Sequence, residues 1–236
     1  MLAAQTRAEI TMTLRKGEQL LLSLVIPVGL LVVLTQATFI EVTVDNRADF
    51  YVPGILALAI MSSAFTGQAI ATGFERQYGV LKRLGATPLP RSVLMLAKTL
   101  GVLAVQVIQL GVLGGVGLAL GWQPRGSVLP FLALVALGTA AFSGLGLLLG
   151  GTLRGMTTLA VANLLWFVLL LLGGMVFPLT EYGGAADALE LLPTAALAHG
   201  LRSLLVDGVT TGKDLLVLAA WAVVSLAAAA KAFRWE

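Results

Sequence analysis

Residues 50–74 read FYVPGILALAIMSSAFTGQAIATGF, a run without a single charge, and residues 75–91 follow at once as ERQYGVLKRLGATPLPR. A helix rising about 1.5 Å per residue needs roughly 20 predominantly apolar residues to cross the hydrocarbon core of a bilayer. The first stretch is therefore long enough to span, and the second is where the chain comes back to water. The same alternation repeats outward in both directions. Uncharged runs cover residues 19–40, 50–74, 99–124, 126–153, 155–180 and 215–230. The first five are long enough outright. The sixth reaches spanning length because Lys213 and Lys231 can bury their alkyl stems while the ammonium groups reach the interface.

Composition agrees. Hydrophobic residues make up 58% of the 236 positions and charged residues only 11%, against about 25% charged in a soluble domain. Mean hydropathy is +0.95. The sequence predicts an all-α polytopic membrane protein, a single domain over residues 1–236. Six transmembrane helices are expected at about 19–40, 51–74, 95–121, 128–151, 156–178 and 213–233. Cysteine is absent, which removes disulfides, thiolate metal sites and cysteine nucleophiles.

Lys and Arg accumulate on cytoplasmic loops, so their placement sets the orientation. With six crossings both termini share a side. That side carries Arg7, Arg15, Lys16, Arg76, Lys82, Arg83, Arg91, Lys98, Arg154, Lys231 and Arg234, whereas the other holds Arg47, Arg125, Arg202 and Lys213. Both termini are therefore expected in the cytoplasm. The net charge of +3 reports topology and gives no argument for nucleic acid. Residues 1–18 place Ile10 and Leu14 on one helical face and Arg7 and Arg15 near another, the pattern of an interfacial helix lying under the membrane.

Two loops carry more structure than a connection needs. In the cytoplasmic segment 75–92, Val80, Leu81 and Leu84 recur at helical spacing among Arg76, Lys82 and Arg83, and Thr87-Pro88 stops the helix. The external segment 179–212 contains an uncharged stretch, residues 191–201, that is too short to cross and is expected to dip into the outer leaflet and return.

The run from Glu75 to Leu89 resembles the signature of the ABC-2 type permeases, the membrane subunits of ATP-binding-cassette exporters that include daunorubicin-type drug permeases. Glu75, Arg76, Gly79, Lys82, Arg83, Leu84, Thr87, Pro88, Leu89 and Lys98 fill the places of that motif. Phe177-Pro178, Pro193-Thr194 and Leu201-Arg202 resemble the family's external re-entrant region. The resemblance implies a multi-pass permease of a bacterial cytoplasmic membrane that exports a drug, lipid or glycoconjugate. It implies two copies of a separate ATP-binding subunit, which would carry the ATP and Mg2+, and a second permease subunit, as a homodimer. A phosphate-binding G-x-x-x-x-G-K-[ST] loop is absent here, because Gly212-Lys213 is followed by Asp214 and lacks the frame. By the same resemblance Glu75, Arg76, Gly79, Leu81, Lys82, Arg83, Leu84, Thr87 and Pro88 form the coupling segment. In it a helix around Gly79 to Leu84 seats in a groove of the ATPase, with Glu75, Arg76, Lys82 and Arg83 at the rim.

Within the spans, Gly111 and Gly115, Gly117 and Gly121, and Gly146 and Gly150 have the spacing that lets helices approach closely. Polar residues there are few. Ser62, Gln68, Gln106 and Gln109 read as bonds between helices, and Thr35, Gln36, Ser63, Thr66 and Asn163 are the candidates for a substrate path. No charge lies near the centre of any span, which argues against a proton relay or an ion-coupled secondary transporter. A secondary transporter and a non-transporting membrane assembly factor are the alternatives, and co-purification with an ATPase separates the permease from both. The lone His199 has no second His, Cys or acid pair at ligand spacing, so it is expected to pack rather than to bind metal or catalyse.

Overall fold

The computed structural model describes residues 1–15, 17–36 and 46–233. Lys16, residues 37–40 of the first expected span, Glu41, Asp45 and Arg234 lie outside the described residues. Among the described residues every regular element is helical. In chain order these are α1 (Leu2–Leu14), α2 (Gly17–Gln36) and α3 (Arg47–Met61). A π turn at Ser62–Gly67 carries α3 into α4 (Gln68–Gln77). Then come α5 (Val80–Gly85), α6 (Arg91–Ala119), α7 (Val128–Thr152) and α8 (Gly155–Leu172). A 3-10 turn at Leu179–Ala185 leads to α9 (Ala186–Leu189) and α10 (Pro193–Arg202). A second π turn at Ser203–Asp207 precedes α11 (Gly212–Ala232).

Among the described residues five helices are long and apolar enough to cross a bilayer: Arg47–Gln77, Arg91–Ala119, Val128–Thr152, Gly155–Leu172 and Gly212–Ala232. Within α2 the apolar stretch Ser23–Gln36 is shorter. Helix α3 forms the middle of the bundle, buried from Ala48 to Met61 and packed by α2, α6, α7 and α10. It is apolar all round because it has no solvent face to make polar.

Helix α7 is the second organising element, and its glycines explain why. A Cβ at Gly146 would lie 2.7 Å from the Phe65 carbonyl oxygen, and one at Gly150 would lie 2.5 Å from that of Ala69. Only a hydrogen fits there, so this glycine pair seats α7 against the π turn and α4. On another side Ser225 Oγ of α11 donates to Ala141 O at 3.0 Å. Of the other two pairs, Gly111, Gly115 and Gly121 border open space, and Gly117 meets Val52 and Trp122.

Three expectations change. The fifth span was placed over about 156–178, yet α8 ends at Leu172. Gly174 turns left-handed at φ 66, and Thr194 packs where a Cβ on Gly173 would stand. The stretch expected to dip into the outer leaflet, 191–201, is covered by protein over most of its length. As α10 it is buried at Pro193 to Ala198, Gly200 and Leu201 among α3, α7, α8 and α11. Arg202 closes that packing: Nε and Nη2 donate to Phe50 O at 3.4 and 3.3 Å, Nη2 donates to Gly174 O at 3.1 Å, and the guanidinium lies 3.9 Å over the Phe50 ring. Burial pushes the Arg202 pKa down to about 10, so it remains charged at neutral pH, satisfied by carbonyls and an aromatic face. Finally, α1 does form, but the residue it buries is Glu9, while Met12 and Leu14 are exposed. Leu2, Gln5, Thr6 and Ile10 beside Glu9 are half-buried.

Candidate functional site

The segment singled out by sequence becomes a helix-turn-helix at one end of the bundle. Helix α4 closes with Tyr78 N donating to Phe74 O and Gly79 N donating to Arg76 O. Gly79 then takes φ 70, a left-handed conformation that costs an L residue about 1–2 kcal/mol. That turn redirects the chain into α5, whose first turn begins with Arg83 N donating to Gly79 O. At the far end Thr87 Oγ1 donates to Leu84 O at 2.6 Å, and Pro88 follows.

Leu81 anchors this short helix. It is completely buried in a cluster with Leu94 and Met95 of α6, Leu147 of α7, and Ala229 and Phe233 at the end of α11, with Leu84 and Leu89 packed at the edge. Opposite that anchor, Tyr78, Val80, Lys82, Arg83, Thr87 and Pro88 are exposed. Tyr78 is 67% exposed and is held in place by stacking on Phe74, with centroids 6.0 Å apart. Arg83 Nη2 reaches Tyr78 O at 3.5 Å. The result is a firm, basic, part-aromatic surface on a fixed helix.

Two residues expected at a rim point inward instead. Glu75 Oε2 lies 2.6 Å from Lys98 Nζ of α6, and the same ammonium lies 3.4 Å from Glu9 Oε2 of α1. Lys98 has only 5% of its side chain exposed, so one buried cation ties the end of α4 and the helix α1 to α6. Gly101, whose Cβ position is 3.1 Å from Glu9 Cβ, lets α1 come this close. Arg76 Nη1 donates to Leu153 O at 3.3 Å, capping the end of α7. Glu9 and Tyr78 are absent from the sequence-based site. A tyrosine among basic residues was the available signal for Tyr78, whereas Glu9 is far from the motif in sequence.

The substrate-path candidates are not gathered in one place. Ser63 and Thr66 share the first π turn. Ser63 Oγ accepts from Gln106 Nε2 at 3.1 Å, and Gln106 Oε1 accepts from Thr139 Oγ1 at 2.7 Å. Beside it Trp166 Nε1 donates to Ser62 Oγ at 2.8 Å, and Ser143 Oγ to Gln68 Oε1 at 2.9 Å. Thus Ser62, Ser63, Gln68 and Gln106 bind helices together, as Gln109 does through Ser23. Thr66 Oγ1 is buried with no hydrogen-bond partner among the described residues. Thr35 Oγ1 donates back to Leu31 O at 2.6 Å, and Gln36 and Asn163 are exposed. The π turn itself, a form found often at functional positions in helices, leaves no mark in the apolar pattern.

At the opposite end, His199 pairs with an acid that the spacing in sequence conceals. Its Nδ1 lies 2.8 Å from Asp214 Oδ2, which is nearly buried. The hydrogen bond to Asp214 raises the His199 pKa above its ordinary value, against the opposing pull of desolvation. Close by, Lys213 Nζ donates to Glu190 Oε2 on the surface.

A family model described as "ABC-2 family transporter protein" matches residues 18–231. The chain is also 26% identical over 231 residues to "Putative transport permease YvfS" of Bacillus subtilis (strain 168), a match that covers 93% of this chain and 91% of that protein.

Proposed function

This chain belongs to the ABC-2 family of transporter proteins, and from that premise we propose that it is the permease subunit of an ATP-driven exporter. It crosses the bacterial cytoplasmic membrane six times, with α2 as the first span and both termini in the cytoplasm. It moves a hydrophobic or amphipathic cargo such as a drug, lipid or glycoconjugate. Two copies of a separate ATP-binding subunit hold the ATP and Mg2+, and a second copy of this chain completes the pathway. The exposed apolar residues of α2 and α8, among them Val25, Ile26 and Val33, and Leu164 and Phe167, face lipid or that second copy, as do Val107 of α6 and Val223 of α11.

One observation carries the reading: α5 is exposed on the face that a partner would touch and buried on the face that would pass its motion on. Leu81 lies in one buried cluster with residues from the ends of α6, α7 and α11. A partner that displaces α5 therefore pushes on three apolar helices at once. Glu75, Lys98 and Glu9 oblige α4, α6 and α1 to move as a unit. Lys82, Arg83, Val80, Thr87 and Pro88 form the contact surface, while Glu75, Arg76, Gly79, Leu81 and Leu84 hold it in shape. Thr35, Gln36, Ser63, Thr66 and Asn163 remain the proposed path, with the partnerless hydroxyl of Thr66 available to a cargo or water.

Affinity purification from native membranes in mild detergent, with identification of bound chains and an ATP hydrolysis assay, tests this. A stoichiometric partner carrying a phosphate-binding loop is expected, and it should be lost on Lys82→Glu with Arg83→Glu. Arg76 is unsuitable for that test because its substitution uncaps α7. A stable chain that captures no ATPase would favour the secondary transporter or the assembly factor.

A further inference from the structure

A groove of about 480 Å3 runs between α1 and α6, lined by Leu2, Thr6, Arg7, Ile10, Thr11 and Leu100. Its walls are mostly apolar, which suits an acyl chain and excludes a freely soluble anion as the main occupant. Among the described residues Arg7 is the one charged residue lining it, and its side chain is exposed. Glu9 is near in sequence, but it turns the other way and pairs with Lys98, so its charge is compensated and does not repel an anion beside Arg7. Thr6 buries a hydroxyl oxygen for which the described residues supply no hydrogen-bond partner. A second apolar groove, about 270 Å3, lies farther along α6 between Leu21 and Leu24 of α2 and Val105 and Ile108.

We propose that the groove between α1 and α6 binds an anionic phospholipid of the cytoplasmic leaflet, phosphate on Arg7 and acyl chain on Leu2, Ile10 and Leu100. The assignment of leaflet rests on the orientation given above. Leu2 and Ile10, half-buried beside Leu100, are the apolar wall that serves the lipid. Because α1 is joined to Lys98 through Glu9, an occupied groove also steadies the helix that carries the α4 end.

Native mass spectrometry of the purified full chain, titrated with phosphatidylglycerol or with phosphatidylcholine of the same acyl chains, tests the site. One basic residue near an anionic lipid contributes enough for about a five-fold preference. Phosphatidylglycerol should be retained over phosphatidylcholine by that factor in the native chain and equally with it in Arg7→Gln. Ala3→Trp, which fills the groove without touching the charge, should lower the occupancy of both lipids, and Arg125→Gln should change neither. An Arg7→Gln variant that keeps the native preference, or an Ala3→Trp variant that keeps full occupancy, overturns the site. Orientation is read separately: Ala8→Cys should react with a membrane-impermeant maleimide only in inverted vesicles. Labelling from the outside of intact cells would refute the leaflet while the lipid titration still judged the groove.

Discussion

Replacing Lys98 by Met leaves Glu9 and Glu75 facing the space that the ammonium occupied. The size of the effect depends on how dry the site is. Exposed ion pairs contribute about 0–1 kcal/mol, whereas removing one member of a buried pair costs about 3–5 kcal/mol because a charge is stranded. Side-chain exposure is 5% for Lys98, 10% for Glu9 and 26% for Glu75. The Glu9 contact therefore falls in the buried regime, and Glu75 can recover some hydration. A loss of about 3 kcal/mol is expected, the low end of that range, which for a chain of this length lowers Tm by roughly 6–12 °C. The triple variant Lys98→Met, Glu9→Gln, Glu75→Gln removes the stranded charges and should regain most of the loss. Thermal unfolding in detergent, followed by tryptophan fluorescence, measures both. A Lys98→Met shift below about 2 °C, or a triple variant as unstable as the single one, would show that the three groups do not form an internal junction.

Gly79→Ala introduces a Cβ at φ 70, a strain of about 1–2 kcal/mol concentrated in the turn that orients α5. Stimulation of the partner ATPase should fall several-fold and Tm should fall by roughly 2–8 °C, and unchanged stimulation would remove Gly79 from the coupling geometry. His199 makes a pH prediction with a definite sign. Its pKa is raised in the folded protein by Asp214, so the pair contributes fully below the unfolded value of about 6.5 and is lost as pH rises through the raised folded value. The Tm difference between the native chain and His199→Gln should therefore shrink from pH 6 to pH 9. A difference that stays constant or grows would exclude the protonated pair.

Much of this fold was readable because lipid imposes a simple rule: five uncharged runs, 50–74 to 215–230, coincide with helices of spanning length. What escaped depended on partners distant in sequence. Lys98 was placed in the motif, but nothing in a linear reading joins it to Glu9, 89 residues away. His199 looked solitary because Asp214 approaches it only after α10 and α11 pack. Residues 191–201 looked suited to lipid because buried protein and bilayer select the same side chains, and only the surrounding helices distinguish them. The end of α8 was misplaced because residues 173–178 are as apolar as a span, while Gly173 and Gly174 determine the local geometry. Within the candidate site, the spacing of Val80, Leu81 and Leu84 located α5 correctly. It could not reveal that Leu81 alone is fully buried, or that Glu75 and Arg76 serve the interior.

The most direct test of the coupling reading uses the absence of native cysteine. Single cysteines at Val80, Thr87 and, as a control across the membrane, Ser127 are introduced and treated with a short bifunctional crosslinker in native membranes. Val80→Cys and Thr87→Cys should each give an adduct with a chain bearing a phosphate-binding loop, with a yield that changes on adding ATP, and Ser127→Cys should give none. No adduct from either position, or the same yield from Ser127→Cys, would contradict the claim that α5 is where an ATPase grips this chain.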